Sequence, residues 1–540
     1  MSRSRQSGAG TTRTVAAWLA AFAVCASAAA QAPGGGAAEA ARHRDTGISY
    51  LRQGKSQEAL PHFRAAVELD PADAVSHDGA GVALAEAGKM AEAQASFQKA
   101  LALRPDFAEA HYHLALAFDR QGSTRQAIEE YQEALRLQPG LLPARYLLAG
   151  ALGKYGDLRG AIRLLQDVTR KAPDFVEARF NLGLLLQRDG RLAEAVAELQ
   201  KAHQAQPQKP QFALALGIAL AENEQVAQAV ELLRQAADKN AQDPEAHYNL
   251  GLAMAKQGET SGAILAFRRA VELQPTHPQA RRALGAALLQ EGDLPAARKE
   301  LETAVRVAPA DWEAYSSLGA LLLRVGEVPG AVQSLEKSIQ LNPKLIKSYR
   351  TLAQAHYKGG RPDDAARLNK QAEELALESA NLGRAMVLAQ SARQRLESGE
   401  TSEAIAQLRE AVSLSPSFAD AQLLLSRALR LSPDGSQEAL SILQRILVAD
   451  PRHADAHYEI AMTLEALGRR EEALREYEAA AQAAPSLLDA RRALALAASR
   501  SQDWCAAAAE SRAVLAWEPN DRESQRLLRQ AEESKQGSCR

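Results

Sequence analysis

Five histidines stand at equivalent places along this chain. His43, His77 and His111 follow one another at intervals of 34 residues, and His247 and His457 fall at the same place in later segments. Imidazoles in register suggest a metal ladder. Zinc holds each nitrogen at about 2 Å, so its ligands must crowd within about 4 Å of one another. Neighbouring helices pack about 8–10 Å apart, so equivalent residues of successive segments cannot share an ion. His111 and His113 are two apart and point to different helix faces. The pattern predicts half-buried packing histidines and no metal site. Gly54-Lys55-Ser56 ends like a phosphate-binding loop, but that motif needs a glycine where the chain has Ser49, and a strand before it. Gly54 reads instead as a helix cap. The sequence contains no H-E-x-x-H, G-x-S-x-G, C-x-x-C or dinucleotide fingerprint. We expect no catalytic residue, no cofactor and no enzyme.

The spacing of the histidines belongs to the whole chain. Ala59, Ala93, Ala127 and their successors to Ala365 are 34 apart, and the series resumes after a five-residue slip at Ala404. Pro71, Pro105, Pro139, Pro173 and Pro207 march in step. A fixed period of this size means a stack of small units, each packing on its neighbours. We number each repeat from 1 to 34, starting at Ala40. In Pro244–His277, His247, Leu250, Gly251 and Met254 fall on one face of a first helix. Gly258 stops that helix. Ala263, Phe267 and Ala270 form the face of a second helix, and Pro275 ends it. Position 8 is Gly, Ala or Ser and position 20 is Ala in all fourteen repeats, so the two helices must cross closely. A larger residue there would overpack, at about 1–3 kcal/mol. Position 24 is mostly bulky, as at Phe63, Phe97, Tyr131 and Phe267, and should pack between repeats.

A 34-residue helix-turn-helix with small 8, Ala at 20, aromatic or Leu at 24 and Pro at 32 resembles the tetratricopeptide repeat. The resemblance covers Ala40 to Asp521. It implies an all-α, right-handed superhelical α-solenoid. The expected organisation is a signal peptide at 1–30, a flexible leader at 31–39 and ten repeats at 40–379. A joint at 380–384 follows, then four repeats at 385–521 and a capping helix and tail at 522–540. Repeat ten carries Leu377 where proline is usual and Asn369 at position 24. A longer second helix is expected there.

In similar proteins the first helix of each repeat lines a concave groove for peptides, with positions 2, 5, 9, 12 and 13 facing the ligand. Position 5 gives Tyr112, Tyr146, Phe180, Leu214 and Tyr248. Position 9 adds Leu116, Leu184, Ile218 and Leu252, and position 13 adds Arg120, Lys154, Arg188 and Lys256. This apolar stripe with a cationic edge suits an extended or helical peptide with some acidic residues. No repeat has the Lys and Asn pair that clamps a peptide C-terminus. Arg393, Arg427, Arg430 and Arg492 make the later face more basic.

The N-terminus reads as a secretory signal. Arg3, Arg5 and Arg13 precede an apolar run from Val15 to Cys25, and Ala28-Ala29-Ala30 offers a cleavage site. The run is too short to span a bilayer. Export to the periplasm or medium is expected, with lipidation at Cys25 or an uncleaved anchor as the alternatives. Losing three arginines and no acid would move the formal charge from −2 to −5. A mildly acidic chain argues against nucleic-acid binding. Cys505 and Cys539 would remain and could pair in an oxidising compartment. The expected function is a non-enzymatic scaffold of the periplasm or envelope that binds other proteins. The alternative is a recognition subunit of a separate enzyme, such as a glycosyltransferase or polysaccharide-export complex.

Overall fold

The computed structural model describes residues 35–432 and 434–534. The signal segment and Cys539 lie outside them. The described residues form 28 α-helices and no strand. The helices follow one another as tandem antiparallel pairs, an all-α solenoid.

The seventh repeat shows how the sequence builds a pair. Its helix A, Pro244–Gln257, opens with Pro at the first turn, and the Asp243 carboxylate accepts from the Glu245 N–H. That side-chain cap satisfies a backbone donor that has no partner within the helix. Gly258 ends the helix at φ 91°. Helix B, Thr260–Leu273, starts two residues later and stops before Pro275. Eleven glycines occupy the same turn with φ between 72 and 107°. Glu224 and Gln502 hold this left-handed conformation without being glycine, at φ 62 and 61°.

The small residue at position 8 makes room for the large one at position 24 of the same repeat. A methyl on Gly251 would stand 2.5 Å from the Phe267 ring. On Gly217 or Gly319 it would stand 2.5 Å from Cγ of Leu233 or Leu335. Phe63 also reaches the next repeat, where a methyl on Gly79 would come within 2.3 Å of its ring. The bulky position therefore fills its own repeat first and bridges to the neighbour from there. Ala263, Phe267 and Ala270 are all fully buried.

The chain divides into two compact bodies, residues 179–442 and the remainder. The second body, 179–442, contains a 36-residue helix, Pro362–Glu397. It fuses helix B of repeat ten, residues 380–384 and helix A of repeat eleven. Ala365 and Ala372 are buried in its first half, and Ala385, Ala389 and Ala392 in its second. No residue from 373 to 384 is buried.

The first body joins repeats far apart in sequence. Helix Thr124–Leu137 of repeat three packs on helix Trp504–Trp517 of repeat fourteen. The buried Asp157 accepts from both the N–H and the hydroxyl of Ser486, each at 2.8 Å. Tyr155 donates to the Gln482 carbonyl at 2.8 Å, and Arg159 pairs with Asp455 at 2.8 Å. The final helix, Arg522–Glu533, packs on Trp504–Trp517 and buries Leu527. No helix among the described residues is long and apolar enough to cross a membrane.

Candidate peptide-binding face

Most of the polar side chains at position 4 are structural joints, whereas His43 meets His62 at 3.2 Å. His111 donates through Nε2 to the Pro105 carbonyl at 3.1 Å and through Nδ1 to Glu130 at 2.6 Å. His457 repeats this with Pro451 at 3.1 Å and Glu476 at 2.6 Å. His77 and His247 bond the Pro71 and Ala241 carbonyls through Nε2, at 3.1 and 3.2 Å. Arginine does the same work elsewhere: Arg281 reaches Pro275 and Glu300, and Arg491 reaches Pro485 and Glu510. Gln422 and Gln525 bond the carbonyls of Pro416 and Pro519. Where it forms, the joint ties helix A to a carbonyl in the turn that ends the preceding repeat. Burial opposes the charge of His111, but Glu130 and the Pro105 carbonyl outweigh it and raise its pKa. The hydrogen bond that His457 donates to the Glu476 carboxylate raises its pKa likewise.

His113 is a separate case. It is fully buried and its Nδ1 lies 2.9 Å from the buried Asp78 carboxylate. Among the described residues, no three His, Cys, Asp or Glu side chains gather where a metal could bind. Gly54, at φ 72°, ends the helix Gly35–Arg52. The turn that resembles a phosphate loop therefore connects two helices.

The stripe read at positions 5, 9 and 13 is uneven. In the first body Tyr112 is fully buried, with its ring 6.2 Å from that of Tyr131, and Leu116 is buried too. Burial holds the Tyr112 phenol well above its ordinary pKa. Tyr146 is half-buried, 4.8 Å from the Phe175 ring. Arg120 and Lys154 are exposed, and Lys154 pairs with Asp119 at 2.8 Å. In the second body Phe180, Leu214, Ile218 and Tyr248 are half-buried. Phe180 packs on Phe212 at 4.6 Å, and Tyr248 lies between Phe267 and His277. Leu184 and Leu252 are the most open apolar positions of this set, 37% and 41% exposed. Arg188 is exposed. Lys256 donates to the Ala221 carbonyl at 2.7 Å and pairs with Glu224 at 2.9 Å.

The cationic edge thus has internal duties that the sequence reading did not foresee. Position 13 reaches back to position 12 or 15 of the preceding repeat, and Arg324 bonds the Leu289 carbonyl in the same way. Such exposed pairs contribute little to stability and exchange readily. Arg492, read as part of a basic face, is held by Asp489, Glu518 and Asp521. Arg393 is exposed. The partners stand 35 residues upstream of Lys154 and Lys256, both at position 12 of the preceding repeat.

A family model described as Tetratricopeptide repeat matches residues 44–93, 79–141, 146–210, 214–278, 390–436 and 434–487, and a second so described matches 254–322. No curated protein matches the chain. Among solved structures, the chain is similar to a crystal structure of MamA, with 24% identity over 31% of this chain and 96% of that one, at a TM-score of 0.29. MamA from Desulfovibrio magneticus RS-1 shows 26% identity over 31% of this chain and 94% of that one, with the same TM-score of 0.29. YrrB, described as a TPR protein with an unusual peptide-binding site, shows 21% identity over 34% of this chain and 95% of that one, at 0.29.

Proposed function

As the chain belongs to the tetratricopeptide repeat family, we propose that it is a non-enzymatic scaffold that binds segments of partner proteins on the helix A faces of its repeats. The observation that carries this reading is the open apolar row of the second body. Phe180, Leu214 and Tyr248 offer the side of a ring or a branched chain, and Leu184 and Leu252 stand exposed beside them. Exposed leucines at one register position of repeats five and seven, with the half-buried Ile218 of repeat six between them, give a peptide a repeated apolar footing. Arg188 adds a cation at the edge, so a partner segment with spaced apolar residues and an acid fits best.

The reading includes export. The basic start, short apolar run and alanine cleavage site support delivery to the periplasm or envelope, and the disulfide between Cys505 and Cys539 belongs to the same proposal. Partners are to be captured in the native host by crosslinking the tagged chain, beside a variant carrying Leu184→Ser and Leu252→Ser. Both leucines are open to solvent, so the variant keeps its fold. A discrete protein captured by the parent and lost from the variant supports the reading. A partner retained by the variant moves the site elsewhere, and capture of none sinks the scaffold role. Peptide mapping without reductant tests the disulfide, and free thiols at both positions in exported material would refute it.

A further inference from the structure

The long helix Pro362–Glu397 carries a seam that its own neighbours do not finish covering. Ala365, Ala372, Ser379 and Met386 recur every seven residues, and Leu368, Leu375 and Leu382 do so between them. Spacing of three and four is that of helices packing along a common line. The first part of the seam is in use: Ala365 and Ala372 are 5% and 1% exposed, and Leu368 packs on the core of the second body. The seam then runs on past helix Ile346–Lys358, the neighbour of that first part. Ser379 is exposed, Leu382 is 40% exposed and Met386 is 54% exposed, with Val387 beside them at 70%.

We propose that this bare stretch pairs with the same stretch of a second copy, as two antiparallel helices about a two-fold axis. A two-fold interface must be self-complementary, large against small on one surface. This surface is. Leu382 and Met386 project from one end, and Ala376, Ser379 and Ala380 leave shallow ground at the other. Gly383 lies among them with no atom within 4 Å of where a side chain would start, so a second backbone can approach. Reversing one helix sets each large end over the other's small end. Charge does not oppose the pairing. Between Leu375 and Gly383 the sequence has one charged residue, Glu378, and Lys344 holds its carboxylate at 3.1 Å. The seam continues an interface already made within the chain, which favours a helix of the same pattern over an extended peptide. The bare stretch is short, below what a stable complex of about 1,200 Å² needs, so the pair is weak and reversible.

Sedimentation velocity of the full chain, from low micromolar to near-millimolar loading, tests this. The parent shifts from monomer to dimer and stops there, because a two-fold contact closes on itself. Leu382→Glu with Met386→Glu sets charges into the contact and weakens association about tenfold or more. The same variant melts with the parent by circular dichroism, since both side chains are exposed in the single chain. A parent that stays monomeric throughout overturns the proposal. So does a dimer that the substitutions leave unchanged, or growth beyond the dimer.

Discussion

Replacing Gly251 by alanine pits two opposed effects against each other, and the geometry decides the sign. Alanine is better than glycine inside a helix by about 1 kcal/mol. The added methyl, however, would lie 2.5 Å from Cε1, 2.6 Å from Cδ1 and 3.1 Å from Cγ of Phe267. Carbon atoms at rest sit about 3.5–4.0 Å apart, so the ring must retreat by about 1 Å. Phe267 is fully buried, with Tyr248 at 6.1 Å on one side and the core of the second body around it. Overpacking of this kind costs about 1–3 kcal/mol. The net result is destabilisation of up to about 2 kcal/mol. Gly150 supplies the control. It is exposed inside helix Leu142–Tyr155, and no atom lies within 4 Å of its missing side chain. Gly150→Ala should stabilise its helix by about 0.5–1 kcal/mol. Repeat arrays unfold in parts, so hydrogen exchange of peptides from the substituted repeats is the right assay. Faster exchange around Gly251→Ala and slower exchange around Gly150→Ala are expected. Slower exchange in both would refute the packing argument, because propensity alone would then account for the result.

The seam of the first body can be weighed against an ordinary cap. Asp157 and Asp293 both cap a following helix, but Asp157 also accepts twice from Ser486. Asp293→Ala should cost about 1 kcal/mol, and Asp157→Ala about 2–4 kcal/mol through the lost charged hydrogen bonds; equal exchange effects in the two variants would show that Ser486 adds nothing. The raised pKa of His457 gives a stability contribution that is present below its unfolded value, about 6.5, and is lost as pH rises through the higher folded value. Exchange in repeat thirteen should therefore quicken as pH rises through that window, after correction for intrinsic rates, and His457→Gln should remove the trend. A trend unchanged by the substitution would assign it to another group. Gln502 holds a left-handed turn at φ 61°, so Gln502→Gly should stabilise repeat fourteen by about 1 kcal/mol. Loss of stability there would mean that its side chain matters more than its backbone.

The pairing of helices was legible because three residue types act locally. Ala at position 20, Gly at the turn and Pro after helix B each fix one step of the repeat, and the helix bounds follow them. Histidine at position 4 was legible as packing but its partner was not. The Pro105 carbonyl lies six residues upstream of His111 and Glu130 nineteen downstream, a relation that appears only once two helices are placed side by side. The same holds for Lys154 and Lys256, whose partners belong to the preceding repeat. The contact of Asp157 with Ser486 spans 329 residues. No 34-residue periodicity encodes which distant repeats meet. The groove residues came from family resemblance by position alone. Position cannot distinguish Tyr112, fully buried, from Leu252, which is 41% exposed.

The central claim is that partners lie on helix A and not elsewhere. Leu252 on helix A and Leu265 on helix B of the same repeat are both exposed, at 41% and 65%. A photo-crosslinking amino acid placed at each in turn, in the otherwise intact chain and its native host, compares the two faces directly. A discrete crosslinked partner from position 252 and none from position 265 is the predicted result. The reverse pattern would place the binding face on helix B and contradict the account.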